Sequence, residues 1–183
     1  MDRRQRKTRA AIFAAFIQLL SQTSYDRITV GQIIEKADVG RATFYAHFET
    51  KEFLLEALCR ELFAHVFEAS TGDRNAHSHV FDCCSGGTPF VHLLEHLQNN
   101  DNHILDLLSG QNNGLFLEAF RKELRALALS QTALFESRRA PELPEDYWID
   151  HIVSTFVQTV RWWTANGMTQ TPEQVERYFR LAV

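Results

Sequence analysis

No apolar run in this chain approaches the roughly 18 residues that a membrane-spanning helix needs, which argues against a membrane protein. The opening MDRRQRKTR lacks the apolar segment of a secretion signal, so a cytoplasmic location is expected. No glycine-rich phosphate loop, nucleophile elbow or His-Glu-x-x-His pair occurs; no catalytic residue, metal or cofactor is assigned, and the chain is not read as an enzyme. Of the three cysteines, Cys83 and Cys84 are adjacent, which is not a zinc-ligand spacing, and no Cys-x-x-Cys is present. Proline occurs four times, and Pro89, Pro141, Pro144 and Pro172 each stand where a helical pattern begins or ends.

What is present is a chain of 183 residues, long enough to bury a sizeable core, with a formal net charge of −4. The sum conceals an asymmetry. Residues 1 to 51 hold nine Lys or Arg against five Asp or Glu, a balance of +4, and the remainder holds ten against eighteen, a balance of −8. Basic charge gathered at one end is the electrostatic pattern of a nucleic-acid partner for that end alone.

The stretch Thr29 to Phe48 reads as two short helices joined by a tight turn. Thr29 followed three residues later by Gln32 is a capping-box spacing, and Ile28 and Ile33 are placed for a hydrophobic staple. Val30, Ile33, Ile34 and Ala37 recur at helical spacing, after which Asp38, Val39 and Gly40 break the pattern, with Gly40 acceptable as the next N-cap. In the second helix, Arg41 to about His47, Phe44 and Phe48 point inward at about 100° per residue, and Ala42 and Ala46 lie on the outer crest. Arg41 and Tyr45 flank that crest on one side, Thr43 and His47 on the other. Small residues between two rows of donors suit a major groove roughly 12 Å wide.

Val39-Gly40-Arg41-Ala42-Thr43-Phe44-Tyr45-Ala46-His47-Phe48, followed by Lys51 and Leu54, resembles the helix-turn-helix signature of the TetR family of bacterial transcriptional regulators, and the resemblance runs from about Arg9 to Leu58. It implies an all-α protein with an N-terminal three-helix DNA-binding domain over residues 1–50 and a helical ligand-binding and dimerisation domain over 51–183. It assigns Arg41 and Thr43 to base edges and Tyr45, His47 and Lys51 to phosphates, with Thr29, Val30 and Gly31 approaching the DNA backbone. Gly40 stands where the family often has a polar residue, which removes one contact. Double-stranded operator DNA, a second copy of the chain and an unknown small-molecule effector are the implied partners, with repression the usual outcome.

The remaining elements follow from periodicity. Arg3, Arg4, Arg6, Lys7 and Arg9 precede a helix with the stripe Ile12, Phe13, Phe16, Ile17 and Leu20, and the cluster reads either as a solvated terminus or, beside a groove-reading unit, as a phosphate track. Tyr25 is read as a packing aromatic. A long helix begins after Thr50 with Leu54, Leu58, Leu62 and Val66 on its inner edge, and by resemblance it is the lever between the domains. Residues 70 to 89 read as a loop, and Thr88 and Pro89 as the start of a helix holding Phe90, Val91, Leu93, Leu94 and Leu97. A short helix from His103 to Ser109, a long one from Leu115 to about Ser137 and another from about Glu145 to Asn166 follow. Gly167 stops the last, and Thr171-Pro172-Glu173-Gln174 restarts the chain in a final helix. Trp162-Trp163-Thr164-Ala165-Asn166-Gly167-Met168 with Thr171-Pro172-Glu173 resembles the C-terminal end of the TetR subgroup that includes regulators related to that of dihydroxyacetone kinase, departing from it at Thr164 and Ala165.

The apolar faces nominate Phe63, Phe67, Phe90, Leu94, Leu97, Leu105, Leu108, Phe116 and Phe120 for an effector pocket, with core packing as the plain alternative. The segments Leu115 to Ser137 and Tyr147 to Trp163 are expected to form a four-helix dimer interface. Two other readings stay open. Cys59, Cys83 and Cys84 with His65, His77, His79, His92 and His96 offer a metal- or thiol-sensing regulator on the same scaffold, His92 and His96 being four apart on one helix. A helical ligand-binding protein without DNA affinity is the other.

Overall fold

Local signals decide where the helices begin. The computed structural model describes residues 3–20, 22–71, 87–99, 108 and 114–183. Within them eight helices have described bounds, with no strand: α1 Arg3–Leu20, α2 Val30–Ala37, α3 Arg41–His47, α4 Lys51–Thr71, α5 Pro89–Asn99, α6 Gly114–Ser130, α7 Glu145–Ala165 and α8 Pro172–Ala182. The all-α expectation holds. None of these helices is long and apolar enough to cross a membrane.

Two capping boxes close in full. The Thr29 hydroxyl accepts from the Gln32 N–H at 3.2 Å while the Gln32 carboxamide oxygen accepts from the Thr29 N–H at 2.8 Å, and Thr171 and Gln174 repeat the exchange at the head of α8. Thr88 caps α5 by accepting from the Val91 N–H at 3.2 Å. At the other end of α2, Asp38 takes the left-handed conformation at φ 51° that turns the chain into α3, and at the end of α7 Gly167 does so at φ 71°. There the residue type is matched to the backbone, since glycine enters that region without the Cβ penalty.

The helix expected to run from Leu115 to Ser137 ends earlier, at Ser130, and the chain continues in two 3-10 turns, Thr132–Leu134 and Glu136–Arg138. The physical reason is Phe135. Its ring is buried in an aromatic cluster with Phe90 and Phe179, 5.6 Å from each, and the turns deliver it there. Phe156 completes the cluster at 5.5 Å from Phe90 and 5.2 Å from Phe179, joining α5, α7 and α8. The expected helix at 103–109 lies outside the described residues except for Leu108, which is buried and whose carbonyl accepts from Arg161 Nε at 3.0 Å.

α4 is the spine. Its expected inner edge, Leu54, Leu58, Leu62 and Val66, is buried, and so are Leu55, Ala57, Cys59, Phe63 and His65, because the helix packs against both α5 and α6. Its N-terminal end meets the reading unit. Tyr25 is buried, donates its hydroxyl to Glu52 Oε1 at 3.1 Å and packs edge-on against Phe16, as a packing aromatic should. Arg9 reaches from α1 to Glu61 at 3.0 Å and lies over the rings of Phe13 and Phe48 at 4.9 and 5.0 Å.

Candidate functional site

Phe44 and Phe48 are wholly buried, and they fix the roll of α3 about its axis. Phe48 meets Phe13 of α1 edge-on at 5.4 Å, and Phe44 lies 6.0 Å from Phe48. With those two rings anchored, Arg41, Ala42, Thr43, Tyr45 and Ala46 are exposed and His47 is half-buried. Helical geometry then gives the face that the spacing predicts: methyl groups at the crest, Arg41 and Tyr45 along one flank, Thr43 and His47 along the other. Tyr45 leans on Phe44 edge-on at 5.5 Å, which steadies a ring that is 46% exposed.

The head of α2 belongs to the same surface in sequence. Thr29 and Gly31 are exposed and Val30 is half-buried. The amides of Val30 and Gly31 have no carbonyl four residues back within the helix, so they are available to an anion. A Cβ added at Gly31 would meet only the Thr29 hydroxyl, at 3.7 Å, and one at Gly40 only the Thr43 hydroxyl, also at 3.7 Å. Among the described residues nothing requires glycine at either position.

Lys51 has a second occupation. Its ammonium donates to the carbonyls of Tyr25 and Ile28, each at 3.0 Å, and sits 4.0 Å from the Tyr25 ring centroid. Two of its three N–H bonds are thereby committed to holding the turn before α2 against the start of α4. Arg9 is likewise engaged with Glu61, whereas Arg3, Arg4, Arg6 and Lys7 are exposed; the basic cluster expected ahead of the first helix lies within α1 itself.

Of the nominated pocket residues, Phe63, Phe90, Leu94, Leu97, Leu108, Phe116 and Phe120 are buried. Phe63 meets Phe120 edge-on at 5.1 Å and Phe116 lies 5.9 Å from Phe120, while Phe90 belongs to the separate cluster with Phe135, Phe156 and Phe179. The side chain of Phe67 and all of Leu105 lie outside the described residues, as do Cys83, Cys84, His77 and His79. Cys59 is buried, and burial together with Glu123 pushes its thiol well above the ordinary range, so it is held as an unreactive thiol. A shallow cleft of about 190 Å³ between α4 and α6 is lined by charged residues, among them Glu52, Glu56, Arg60, Lys122 and Glu123.

His92 and His96 face each other across one turn of α5, their Nε2 atoms 3.0 Å apart, and His65 of α4 packs on both with ring centroids at 5.2 and 4.8 Å. All three are at least 95% buried. The pair is legible as i, i+4; the third histidine is not, because only the packing of α4 on α5 brings His65 to it.

Comparison with known proteins agrees with this arrangement. Residues 12–58 match the family of bacterial regulatory proteins of the tetR type, and residues 88–181 match a transcriptional regulator C-terminal region. The chain is 35% identical to the TetR transcriptional regulator of Streptococcus agalactiae 2603V, whose crystal structure superposes with a TM-score of 0.72 over 98% of this chain and 95% of that one. It is 38% identical over 76 residues to the HTH-type transcriptional regulator YxbF of Bacillus subtilis, a match that spans 39% of this chain and only 20% of that relative. At 18% identity and a TM-score of 0.61, covering 94% of this chain and 96% of that one, the transcriptional regulator FadR of Bacillus subtilis, solved with stearoyl-CoA, shares the fold. A helix-turn-helix with its outer face free, a spine helix behind it and a matching C-terminal region place this chain in the TetR family of bacterial transcriptional regulators.

Proposed function

We propose that this protein is a ligand-responsive repressor that binds a palindromic DNA operator as a homodimer in the cytoplasm, residues 1–50 reading DNA and residues 51–183 binding the effector and the second copy. The observation that carries the reading is the face of α3, where Arg41, Thr43 and Tyr45 are exposed around two alanines while Phe44 and Phe48 anchor the helix from behind. In this reading Arg41 and Thr43 address base edges. Tyr45, His47 and the remaining N–H of Lys51 hold phosphates, and the free amides at Val30 and Gly31 receive another beside Thr29.

One seven-residue helix reads too few base pairs to find a site in a genome, so two copies related by a two-fold must act together, about 34–36 Å apart. Two features support an interface on the outer faces of α7 and α8. Tyr147, Trp162, Tyr178 and Leu181 are exposed there, 61%, 41%, 45% and 65% respectively, and the Trp162 and Tyr178 rings meet edge-on at 6.0 Å. The segment after Leu115, expected to share the interface, turns Phe116, Phe120, Leu124 and Leu127 into its own subunit. We therefore give its place in the interface to α8.

The effector region is the α4–α5–α6 layer, with Phe63, Leu94, Leu97, Leu108, Phe116 and Phe120 as its apolar lining. An effector releases DNA only to the extent that it prefers the conformation with misplaced reading heads. The run Trp162 to Met168 with Thr171-Pro172-Glu173 supports kinship with the dihydroxyacetone kinase regulator subgroup, and Thr164 and Ala165 depart from it.

Selection of bound sequences from a random duplex pool, with affinity of the winner followed against salt, tests the reading. A palindrome bound with a steep salt slope is expected. Failure of a folded dimer to enrich any sequence, with and without effector extracts, would leave a helical ligand-binding protein instead.

A further inference from the structure

Three imidazoles converge in the layer between α4 and α5. One ligand nitrogen from each of His65, His92 and His96 lies within 4.8 Å of the others, and the closest pair, the Nε2 atoms of His92 and His96, is 3.0 Å apart. A tetrahedral zinc ion with Zn–N bonds of about 2.0–2.1 Å sets its ligand nitrogens about 3.3 Å apart, so small side-chain adjustments complete three corners. The three rings are 1%, 5% and 5% exposed, on helices whose Phe63, Leu93, Leu94 and Leu97 are also buried. An all-apolar helix contact would avoid the desolvation of three imidazoles, whereas a site for a metal ion requires it.

We propose that His65, His92 and His96 form a binding site for one divalent transition-metal ion of the zinc type, and that this ion is an effector of the regulator. The donor set selects the ion: three imidazole nitrogens suit Zn²⁺ and its Co²⁺ and Ni²⁺ neighbours and disfavour Mg²⁺ and Ca²⁺, which take oxygen. Three protein ligands leave a fourth corner for water or a small anion. The site also has a route to DNA. His65 lies fourteen residues beyond Lys51 on α4, about 21 Å at 1.5 Å per residue, and Lys51 and Glu52 hold the turn before α2. An ion that clamps α4 to α5 fixes the tilt of the spine on which that turn rests. The effector half rests on the DNA-binding reading given above; the metal site stands without it.

The test uses the full-length protein freed of metal. Titration with Co²⁺ is expected to give one equivalent per chain and visible bands of a four-coordinate nitrogen site, displaced by Zn²⁺ and unaffected by excess Mg²⁺. Absence of stoichiometric binding, or a thiolate-to-cobalt charge-transfer band, overturns the three-histidine assignment. His92→Gln and His96→Gln, checked for native helix content, are each expected to weaken Zn²⁺ by more than the roughly 10–100-fold that loss of an outer-shell partner costs; folded variants with unchanged affinity overturn the site. Should neither fold, X-ray absorption of the zinc-loaded wild type decides, three imidazoles supporting the site and fewer overturning it. Operator affinity with and without Zn²⁺ is expected to differ at least about fivefold. Unchanged affinity in a protein that binds both operator and zinc overturns the effector role, and zinc binding without any DNA binding overturns the regulator reading while leaving the site.

Discussion

Arg41 and Lys51 share one proposed DNA surface, yet they differ in what holds them. Arg41 is exposed, and in the proposed reading it grips a guanine, so its replacement by alanine is expected to cost about 1–3 kcal/mol and to relax preference at one base pair of each half-site. Preference retained at every position in a repeated duplex selection would remove it from the base-reading set. Lys51→Ala should act on stability first: two part-buried carbonyls lose a charged donor, a change of about 1.5–3 kcal/mol read by urea denaturation. An unchanged midpoint with a shallower salt slope would make Lys51 a phosphate ligand alone. Gly31→Ala separates fold from function more cleanly. The chain has room for the methyl, so helix stability should rise by up to about 1 kcal/mol while operator affinity falls, because only a closely approaching DNA backbone excludes it. Equal affinity of the two proteins would place α2 away from DNA. His96 supplies a pH dependence. Its folded pKa of about 3 lies below the ordinary imidazole value, so the unfolded chain binds the proton first as pH falls. Stability of the metal-free protein should therefore decline from about pH 6.5 downward, by up to tenfold in the folding equilibrium per pH unit, and His96→Gln should flatten that limb.

At the scale of elements, the capped starts were readable and one helix end was not. Thr29 with Gln32, Thr88 with Pro89 and Thr171 with Pro172 and Gln174 each act within one turn, and their hydrogen bonds stand as the spacing requires. Thr171→Ala should cost about 0.5–2 kcal/mol in denaturant melts. The early end of α6 had no local signal of that kind: periodicity continues past Ser130, but the demand that Phe135 join Phe90, Phe156 and Phe179 bends the chain into 3-10 turns. The Arg9 bridge is similar. A basic residue in a basic run looks like a phosphate contact until Glu61, 52 residues away, is seen beside it.

Over the whole molecule, the charge asymmetry sets a basic N-terminal end against an acidic remainder, and the proposed dimer interface lies on the outer faces of α7 and α8. Trp162→Glu is expected to halve the mass in light scattering and, with the subunits apart, to abolish operator binding at concentrations where the native protein saturates. A dimeric mass with normal DNA affinity would move the interface elsewhere. What the sequence by itself determined is what short range controls: the capped helix starts, the orientation of α3 set by two phenylalanines four apart, and the family signature on that helix. Tertiary structure alone decided that Lys51 and Arg9 are engaged within the chain, that the proposed effector lining is mutually packed, and that His65 stands beside His92 and His96. Those facts depend on the packing of α4 against α1, α5 and α6, and no periodicity within one helix encodes the roll and depth of its neighbour.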